Sequence, residues 1–206
     1  MPLLCRQHIA PDALLGIWQM DEDEALLLSR FPFLRQHMEQ LNARCRNATR
    51  RREWLSVRAL LATLLNDDTI RIDYTDEGQP ILSNGMHISI SHTRGYAAVM
   101  VSAHCRVGID IERKGRDIGH LRKYFMRDDE QADHDDTLLL HWCAKEALYK
   151  LWSDDHLTTQ QMRIHRPESA DRLMATNLKR GVGTPLYCID HPDFLLVHLL
   201  HPAPNL

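Results

Sequence analysis

The chain has 206 residues, 44% of them hydrophobic and 26% charged, with a formal net charge of -3 at pH 7. This composition excludes intrinsic disorder and low-complexity character, and the near-neutral charge balance argues against a general nucleic-acid-binding protein. No apolar run approaches the ~20 residues that cross a bilayer, and Arg6 and His8 interrupt the apolar N-terminus. We therefore expect neither a membrane span nor a signal peptide.

Sequence patterns typical of helices and of strands alternate along the chain. A short apolar run over 14–20 predicts a strand that leads into a helix, and the spacing of Trp54, Val57 and Leu61 predicts a helix from about Asn47 to Leu65. Four further strands are predicted over 70–74, 86–90, 96–101 and 107–112. Helical patterns return at 117–125 and 137–152, and two last strands are predicted over 185–190 and 194–200.

Each half of the chain passes from helical to extended patterns, which predicts an α+β protein. We expect two similar-sized, pseudo-symmetric subdomains, 1–106 and 107–206, with the active site between them. The five cysteines are odd in number and form no CxxC pair, which is typical of reduced thiols and predicts a cytoplasmic protein. We also expect it to be a monomer.

The segment GIDIE (108–112) places two carboxylates two residues apart. In a strand, Asp110 and Glu112 therefore project from one face, where they repel each other unless a cation lies between them. A hard divalent ion such as Mg²⁺ prefers such oxygen ligands. The alternative is a surface strand that ends in two solvated acids.

The segment WCAKEALYK (142–150) places Glu146 and Lys150 four residues apart, on one face of a predicted helix. Glu146 would complete a site of three carboxylates, and Lys150 would bind phosphate oxygens. The alternative is an ordinary helix salt bridge, which contributes only ~0.2–0.5 kcal/mol.

Two further features can bind phosphate. Ser89 and Ser91 share a strand face, and His92 follows at the end of that strand, where it can donate to a phosphate or simply occupy a turn. The basic segment Arg44–Arg52 holds five arginines and is either a contact for a phosphate or an acidic partner, or a solvated helix start. The residues leave both alternatives open.

GIDIE followed by WCAKEALYK resembles the paired signatures of the 4′-phosphopantetheinyl transferases, (V/I)G(I/V)D and (F/W)xxKE(A/S)xxK. The chain length, the downstream tail and the segment ISISHT (88–93) resemble the Sfp-type branch of that family. The segment GQP (78–80) is similar to the upstream signature G(K/R)P. Three positions depart from the pattern: Gln79 replaces a basic residue, Ser89 an asparagine and Thr93 a serine.

The resemblance implies transfer of the phosphopantetheine arm of coenzyme A to a serine of an apo acyl or peptidyl carrier protein, with release of adenosine 3′,5′-bisphosphate. It implies Mg²⁺ or Mn²⁺ as cofactor. The charge balance and the absence of a long apolar run predict that neither nucleic acid nor a membrane is a partner. The implied metal ligands are Asp110, Glu112 and Glu146. The implied catalytic residues are Glu146 as proton acceptor, Lys150 and Asp110. The implied coenzyme A contacts are Arg58, Gly78, Gln79, Pro80, Ser91, His92 and Lys150.

The resemblance also assigns coenzyme A binding to subdomain 1–106 and the carboxylates to subdomain 107–206. Two other functions stay open. The first is a Mg²⁺-dependent hydrolase that acts on coenzyme A or nucleotide pyrophosphates, and the second is a non-catalytic module that binds a carrier protein.

Overall fold

The computed structural model describes residues 2–168 and 172–203. The chain divides into two compact units, Met1–Ala103 and His104–Leu206, and the division lies close to the boundary predicted near residue 106. Both units combine helices with antiparallel sheet, so the chain is an α+β protein as predicted.

The N-terminal unit is built on a four-stranded antiparallel sheet in the order β1-β2-β6-β5. A separate hairpin pairs β3 with β4. The strands are β1 (Leu3–Ala10), β2 (Ala13–Gln19), β3 (Ile72–Tyr74), β4 (Pro80–Leu82), β5 (His87–Thr93) and β6 (Tyr96–Ser102). The helices are α1 (Glu24–Arg30), α2 (Met38–Arg44) and α3 (Ala48–Leu65).

Helix α3 is the central helix of this unit. Its N-cap residue Asn47 accepts a hydrogen bond from the Thr49 backbone N–H at 2.8 Å, and Asn66 ends the helix in the left-handed conformation with φ of 52°. Leu60 and Leu64 are fully buried and belong to the same apolar core as Val99 of β6. The helix therefore presents an apolar face to the core and leaves its arginine-rich first turn near the surface.

The C-terminal unit has a five-stranded antiparallel sheet in the order β7-β11-β10-β9-β8. Its strands are β7 (Cys105–Arg113), β8 (Met162–His165), β9 (Met174–Asn177), β10 (Val182–Asp190) and β11 (Phe194–Pro202). Its helices are α4 (Arg122–Phe125) and α5 (Asp135–Leu151). Helix α5 packs on this sheet, with Ala147 and Leu148 in one core with Val197 and Leu199.

Helix α5 approaches strand β7 so closely that only glycine fits at the contact. A Cβ atom added to Gly108 would lie 2.1 Å from the carbonyl oxygen of Ala147 and 3.0 Å from Cβ of Leu151. Because Asp110 is two residues further along the same strand face, this approach brings it to the helix turn that carries Glu146 and Lys150.

Most predicted elements are present. The predicted strand over 14–20 is β2, the helix from Asn47 is α3, and the helix over 137–152 is α5. Four strands were not predicted, namely β1, β4, β8 and β9, and the helical pattern over 117–125 forms only a 3₁₀ turn and the four-residue α4. Within the described ranges, no helix is both long and apolar enough to cross a membrane.

Candidate functional site

Asp110 lies in the middle of β7 and is only 5% exposed. It shares a strand face with Gly108 and Glu112, the face on which α5 packs. A buried carboxylate costs free energy unless cations or hydrogen bonds compensate it. The structure therefore excludes a solvated strand end as the explanation of Asp110.

Lys150 supplies part of that compensation. Its Nζ atom donates to Oδ1 of Asp110 at 2.8 Å and to the carbonyl oxygen of Ile109 at 3.0 Å. The predicted alternative, a helix salt bridge between Lys150 and Glu146, does not form, because Lys150 is directed at strand β7. Lys150 is half-buried and pairs with a nearly buried acid, so this contact is not an ordinary surface ion pair.

The thiol of Cys143 also faces this acidic group. Burial raises the pKa of Cys143 well above its usual value, and the charges of Asp110 and Glu112 and a hydrogen bond to Asp110 raise it further. Cys143 therefore stays a neutral thiol that can donate to the Asp110 carboxylate. A thiol with a raised pKa is a poor nucleophile, so Cys143 has no nucleophilic role here.

Glu146 lies on α5, half-buried beside Asp110 and Glu112. Burial raises its pKa, the negative charge of Asp110 raises it further, and Lys150 offsets part of this effect. In the part of the chain that the structure describes, no group donates a hydrogen bond to the Glu146 carboxylate. A carboxylate with a raised pKa and open oxygens can accept a proton or bind a cation.

Glu112 completes the group of acids. Its Oε1 atom accepts a hydrogen bond from Arg116 at 2.5 Å, and its charge contributes to the raised pKa of Glu146. The donor set of three carboxylates has the oxygen chemistry that Mg²⁺ prefers. The three are not gathered into a closed ligand set, because Lys150 and Arg116 occupy two of them. Across residues 2–168 and 172–203, no three His, Cys, Asp or Glu side chains converge closely enough to hold a metal ion.

The lysine next to Glu146 has a different role, which the sequence analysis missed. Lys145 is 2% exposed, and its Nζ atom donates to Oε2 of Glu130 at 2.7 Å and to the carbonyl oxygen of Phe125 at 2.5 Å. Glu130 in turn accepts from the backbone N–H of Ile164 at 2.7 Å. This buried pair joins α5 to the segment after α4 and to β8. The sequence does contain a signal for this pair. Lys145 lies on the same helix face as Ala144 and Leu148, and a lysine on an apolar face needs a buried partner.

In the N-terminal unit, His92 lies near the end of β5, where the sequence predicts it. Its Nδ1 atom is 3.6 Å from Oε2 of Glu53, and its Nε2 atom is 3.4 Å from Nη1 of Arg50. Arg50 also donates to Glu53 at 3.2 Å. Glu53, on α3, is therefore a second residue that was not predicted from the sequence, and its carboxylate contacts both the Arg50 and the His92 side chains.

The segment 78–80 forms the end of the β3–β4 hairpin. Gly78 has a φ of 84°, a conformation that favours glycine. The backbone N–H of Thr75 donates to the carbonyl oxygen of Gln79 at 2.9 Å, and Pro80 pairs with Tyr74. Ser91 lies in β5 of the same unit and is 7% exposed.

Arg58 is buried beneath this hairpin. Its guanidinium lies 3.1 Å from the ring centre of Trp54 and donates to the carbonyl oxygen of Ile72 at 3.4 Å. Burial lowers the pKa of Arg58 to about 10, although its interaction with Tyr74 raises it in part. On the outer side, the Arg44 guanidinium lies 4.7 Å from the ring centre of Tyr74.

The basic segment Arg44–Arg52 is not one uniform surface. Arg51 forms a two-point contact with Glu24 of α1, at 2.6 and 2.7 Å, and donates to Oδ1 of Asn42. Arg50 contacts Glu53, and Arg44 contacts Tyr74. The interpretation as a solvated helix start is thus wrong for Arg51, which joins the helices of the N-terminal unit.

Within each unit, the structure brings together residues that are far apart in sequence. Asp110, Glu112, Glu146 and Lys150 form one group in the C-terminal unit. In the N-terminal unit, Arg58 lies beneath the hairpin of Gly78, Gln79 and Pro80, and His92 contacts α3.

Comparison with known proteins agrees with this arrangement. Residues 37–102 match the model of the 4′-phosphopantetheinyl transferase N-terminal domain, and residues 106–185 match the model of the 4′-phosphopantetheinyl transferase superfamily. No curated protein matches the chain. The two models together cover well over half of the chain, and each covers one of the two residue groups described above. The chain therefore belongs to the 4′-phosphopantetheinyl transferase superfamily.

Proposed function

We propose that this transferase moves the 4′-phosphopantetheine arm of coenzyme A to a serine hydroxyl of an apo acyl or peptidyl carrier protein. The serine oxygen forms a bond to the phosphorus that bears the arm, and the bond from that phosphorus to the bridging oxygen breaks. Adenosine 3′,5′-bisphosphate leaves, and the serine proton passes to a base. The observation that carries the proposal is the Glu146 carboxylate, which has a raised pKa, accepts no hydrogen bond from any described residue, and lies near Asp110, Glu112 and Lys150.

Glu146 is the proposed proton acceptor. A general base works best when its pKa is closer to the operating pH than that of an ordinary carboxylate. Burial and the neighbouring acids move Glu146 in that direction. The serine hydroxyl would donate its proton to a Glu146 oxygen, directly or through a water molecule.

Lys150 and Asp110 form the proposed phosphate-binding group. In the described conformation the Lys150 ammonium rests on Asp110, so this face accommodates a cation beside a buried acid. Lys150 has three N–H donors, and Asp110 and the Ile109 carbonyl oxygen accept two of them, so one donor is available for a phosphate oxygen. Lys150 then positions the reacting phosphate and balances its charge.

Asp110, Glu112 and Glu146 are the residues that would hold Mg²⁺ or Mn²⁺. Such an ion, when bound, neutralises charge that develops on the pyrophosphate. Binding requires that Lys150 and Arg116 give up their contacts with Asp110 and Glu112. Burial is the main cause of the raised pKa of Glu146, and the charges of Asp110 and Glu112 add to it, so a cation bound here would lower that pKa.

The N-terminal unit supplies the proposed coenzyme A contacts. His92 and Ser91 at β5 and Gly78, Gln79 and Pro80 at the hairpin are the proposed surface residues. Arg58 is 4% exposed, so we propose that it acts through Trp54 and Tyr74 rather than by direct exposure to the nucleotide. Cytoplasmic location, the monomeric state and the Sfp-type branch stay predictions.

Intact-mass measurement tests this function directly. The protein is incubated with coenzyme A, Mg²⁺ and a set of apo carrier proteins from fatty-acid, polyketide and peptide synthesis. We expect the mass of at least one carrier to rise by that of one phosphopantetheine arm, and no rise when its serine is replaced by alanine. Breakdown of coenzyme A at the same rate without any carrier would instead show a hydrolase. Binding of coenzyme A with no transfer to any carrier would show a non-catalytic module.

A further inference from the structure

Arg116 contacts Glu112 across the turn that follows β7. Its Nη1 atom donates to Oε1 of Glu112 at 2.5 Å. The Arg116 side chain is 46% exposed and the Glu112 side chain 16%, so water screens the pair only in part. Gly115, in this turn, has a φ of 76°, a conformation that favours glycine. The contact therefore depends on the path of the turn, which returns a guanidinium to the acid near the end of the strand.

The turn that carries Arg116 is anchored on both sides. Before it, the backbone N–H of Lys114 donates to the carbonyl oxygen of Asp193 at 2.9 Å. After it, Ile118 is 2% exposed and belongs to the apolar core of the C-terminal unit. Because the backbone is held at both points, the Arg116 guanidinium stays within reach of Glu112. A group tethered in this way acts at a high effective concentration, so it competes well with a free ion for the same oxygen.

Arg116 differs from the other cation of the acidic group in what it can contact. Lys150 donates to the carbonyl oxygen of Ile109 as well as to Asp110, so it keeps an acceptor if it releases the acid. In the part of the chain that the structure describes, Arg116 forms hydrogen bonds to Glu112 alone. An ion that takes this oxygen therefore costs Arg116 its ion pair, unless another anion accepts the guanidinium.

The charge balance of the acidic group favours an anion in that role. The group carries at most three negative charges, one on each of Asp110, Glu112 and Glu146, and Lys150 and Arg116 offset two of them. A divalent ion bound without an anion would leave more positive than negative charge, and like charges repel strongly in a partly buried site. The pyrophosphate of coenzyme A brings negative charge of its own. The ion and this anion together therefore restore the balance.

We propose that Arg116 makes binding of the divalent ion conditional on coenzyme A. This inference rests on the proposed function. Without the substrate, Arg116 competes with the ion for Glu112 and weakens its binding. When coenzyme A is bound, its pyrophosphate accepts the guanidinium that leaves Glu112, and the competition ends. Such coupling is reciprocal, so the ion strengthens binding of coenzyme A by the same factor.

Electron paramagnetic resonance of Mn²⁺ tests the proposal without catalysis. The full chain is titrated with Mn²⁺ in the absence of any carrier protein, and the signal of the free ion gives the dissociation constant. Without coenzyme A, we expect Arg116→Ala to bind Mn²⁺ ~3–10-fold more tightly than the parent protein, as the loss of a competing, partly exposed ion pair predicts. With saturating coenzyme A, the two proteins should agree within about two-fold.

Arg113→Ala is the matched control. Arg113 adjoins Glu112 in β7, is exposed and lies on the opposite strand face, so this variant removes the same charge nearby and keeps the contact. We expect it to change the affinity for Mn²⁺ by no more than about two-fold. Arg116→Lys keeps the charge without the planar fork, and its affinity should lie between those of the parent protein and Arg116→Ala.

Equal affinity of the parent protein and folded Arg116→Ala for Mn²⁺ without coenzyme A would overturn the proposal. An equal gain in Arg113→Ala would also overturn it, because net charge would then explain the effect, and so would a difference that persists at saturating coenzyme A. In these cases the parent protein still binds the ion, and the proposed metal site is retained. If neither protein binds Mn²⁺ with or without coenzyme A, the proposed metal site fails together with this inference.

Discussion

The two units of the chain differ in how they compensate the charge of a buried cation. In the C-terminal unit, buried cations and acids are paired, as Lys145 is with Glu130 and Lys150 with Asp110. In the N-terminal unit, Arg58 is buried against Trp54 and Arg44 rests on Tyr74, and no described carboxylate balances either. Paired charge fixes the shape of a fold, whereas unbalanced charge favours an ionic ligand. In the N-terminal unit, carbonyl oxygens and the Trp54 ring therefore take the place of an acid around Arg58.

Glu146 is the exception within the C-terminal unit. It lies among paired groups but is not itself paired with any described cation, and burial and Asp110 raise its pKa. Glu146 is therefore the acid of the C-terminal unit to which we assign the proposed role of proton acceptor.

The largest expected effect comes from removing one negative charge from the acidic group of Asp110, Glu112 and Glu146. Asp110→Asn keeps the shape of the side chain and an oxygen for Lys150 but removes one negative charge. We expect transfer to fall by about 10³-fold or more, since several kcal/mol of charge stabilisation are lost. Single-turnover transfer of the arm measures this. Asp154→Ala is the control: its surface salt bridge with Arg106 contributes only ~0–1 kcal/mol, so its rate should match the parent protein. Parent-like transfer by folded Asp110→Asn would remove Asp110 from the site.

The second prediction concerns the buried ion pair of Lys145 and Glu130. Lys145→Met leaves the Glu130 carboxylate buried without its cation, and we expect the free energy of unfolding to fall by ~3–5 kcal/mol. Lys145→Met combined with Glu130→Gln should recover much of this loss, because the introduced amide is neutral and its oxygen can still accept from the backbone N–H of Ile164. Denaturant unfolding measures both variants. A loss below about 1 kcal/mol for Lys145→Met would show that this pair does not hold α5.

A third, smaller effect is the pH dependence of stability that arises from His198. His198 is 6% exposed and stacks on Tyr187, with ring centres 5.4 Å apart, and burial lowers its pKa to about 4. As the pH falls below about 6.5, the imidazole of His198 therefore takes up a proton in the unfolded chain before it does so in the folded protein. This difference favours unfolding. Stability should be lost between about pH 6.5 and pH 4, by up to about 3 kcal/mol from this residue.

His198→Gln isolates that contribution. The variant cannot take up the proton, so its free energy of unfolding should fall less than that of the parent protein between about pH 7 and pH 4. Denaturant unfolding at both pH values gives the difference. Parallel pH dependence of the two proteins would contradict the assignment of this effect to His198.

The long helices and strands could be predicted from the sequence because their hydrophobic periodicity is strong. Helix α3 begins and ends within one residue of the prediction, since Asn47 caps it and Asn66 stops it. Strands β8 and β9 have four residues each, which is too short for an alternating pattern to stand out. The edge strand β1 was missed because polar residues interrupt it, and both Arg6 and His8 are part of it.

The residues of the candidate site were predicted from motif spacing, but their partners were not. That Asp110 and Glu112 share a strand face follows from a period of two. Lys150 contacts Asp110 rather than Glu146 because α5 approaches Gly108 closely. This approach is a tertiary contact, which motif spacing does not reveal. The pairing of His92 with Glu53 and the stacking of Arg44 on Tyr74 likewise join segments that are distant in sequence.

Single-turnover transfer and thermal unfolding of Glu146→Gln together test the central claim most directly. A group whose folded pKa is raised stabilises the fold at low pH, and this stability is lost as the carboxylate ionises. At neutral pH, Glu146→Gln should therefore lose ~10²–10⁴-fold in rate, as a missing general base predicts, and unfold at a higher temperature than the parent protein. An unchanged rate with a lower thermal midpoint would contradict the account, because Glu146 would then be a structural residue.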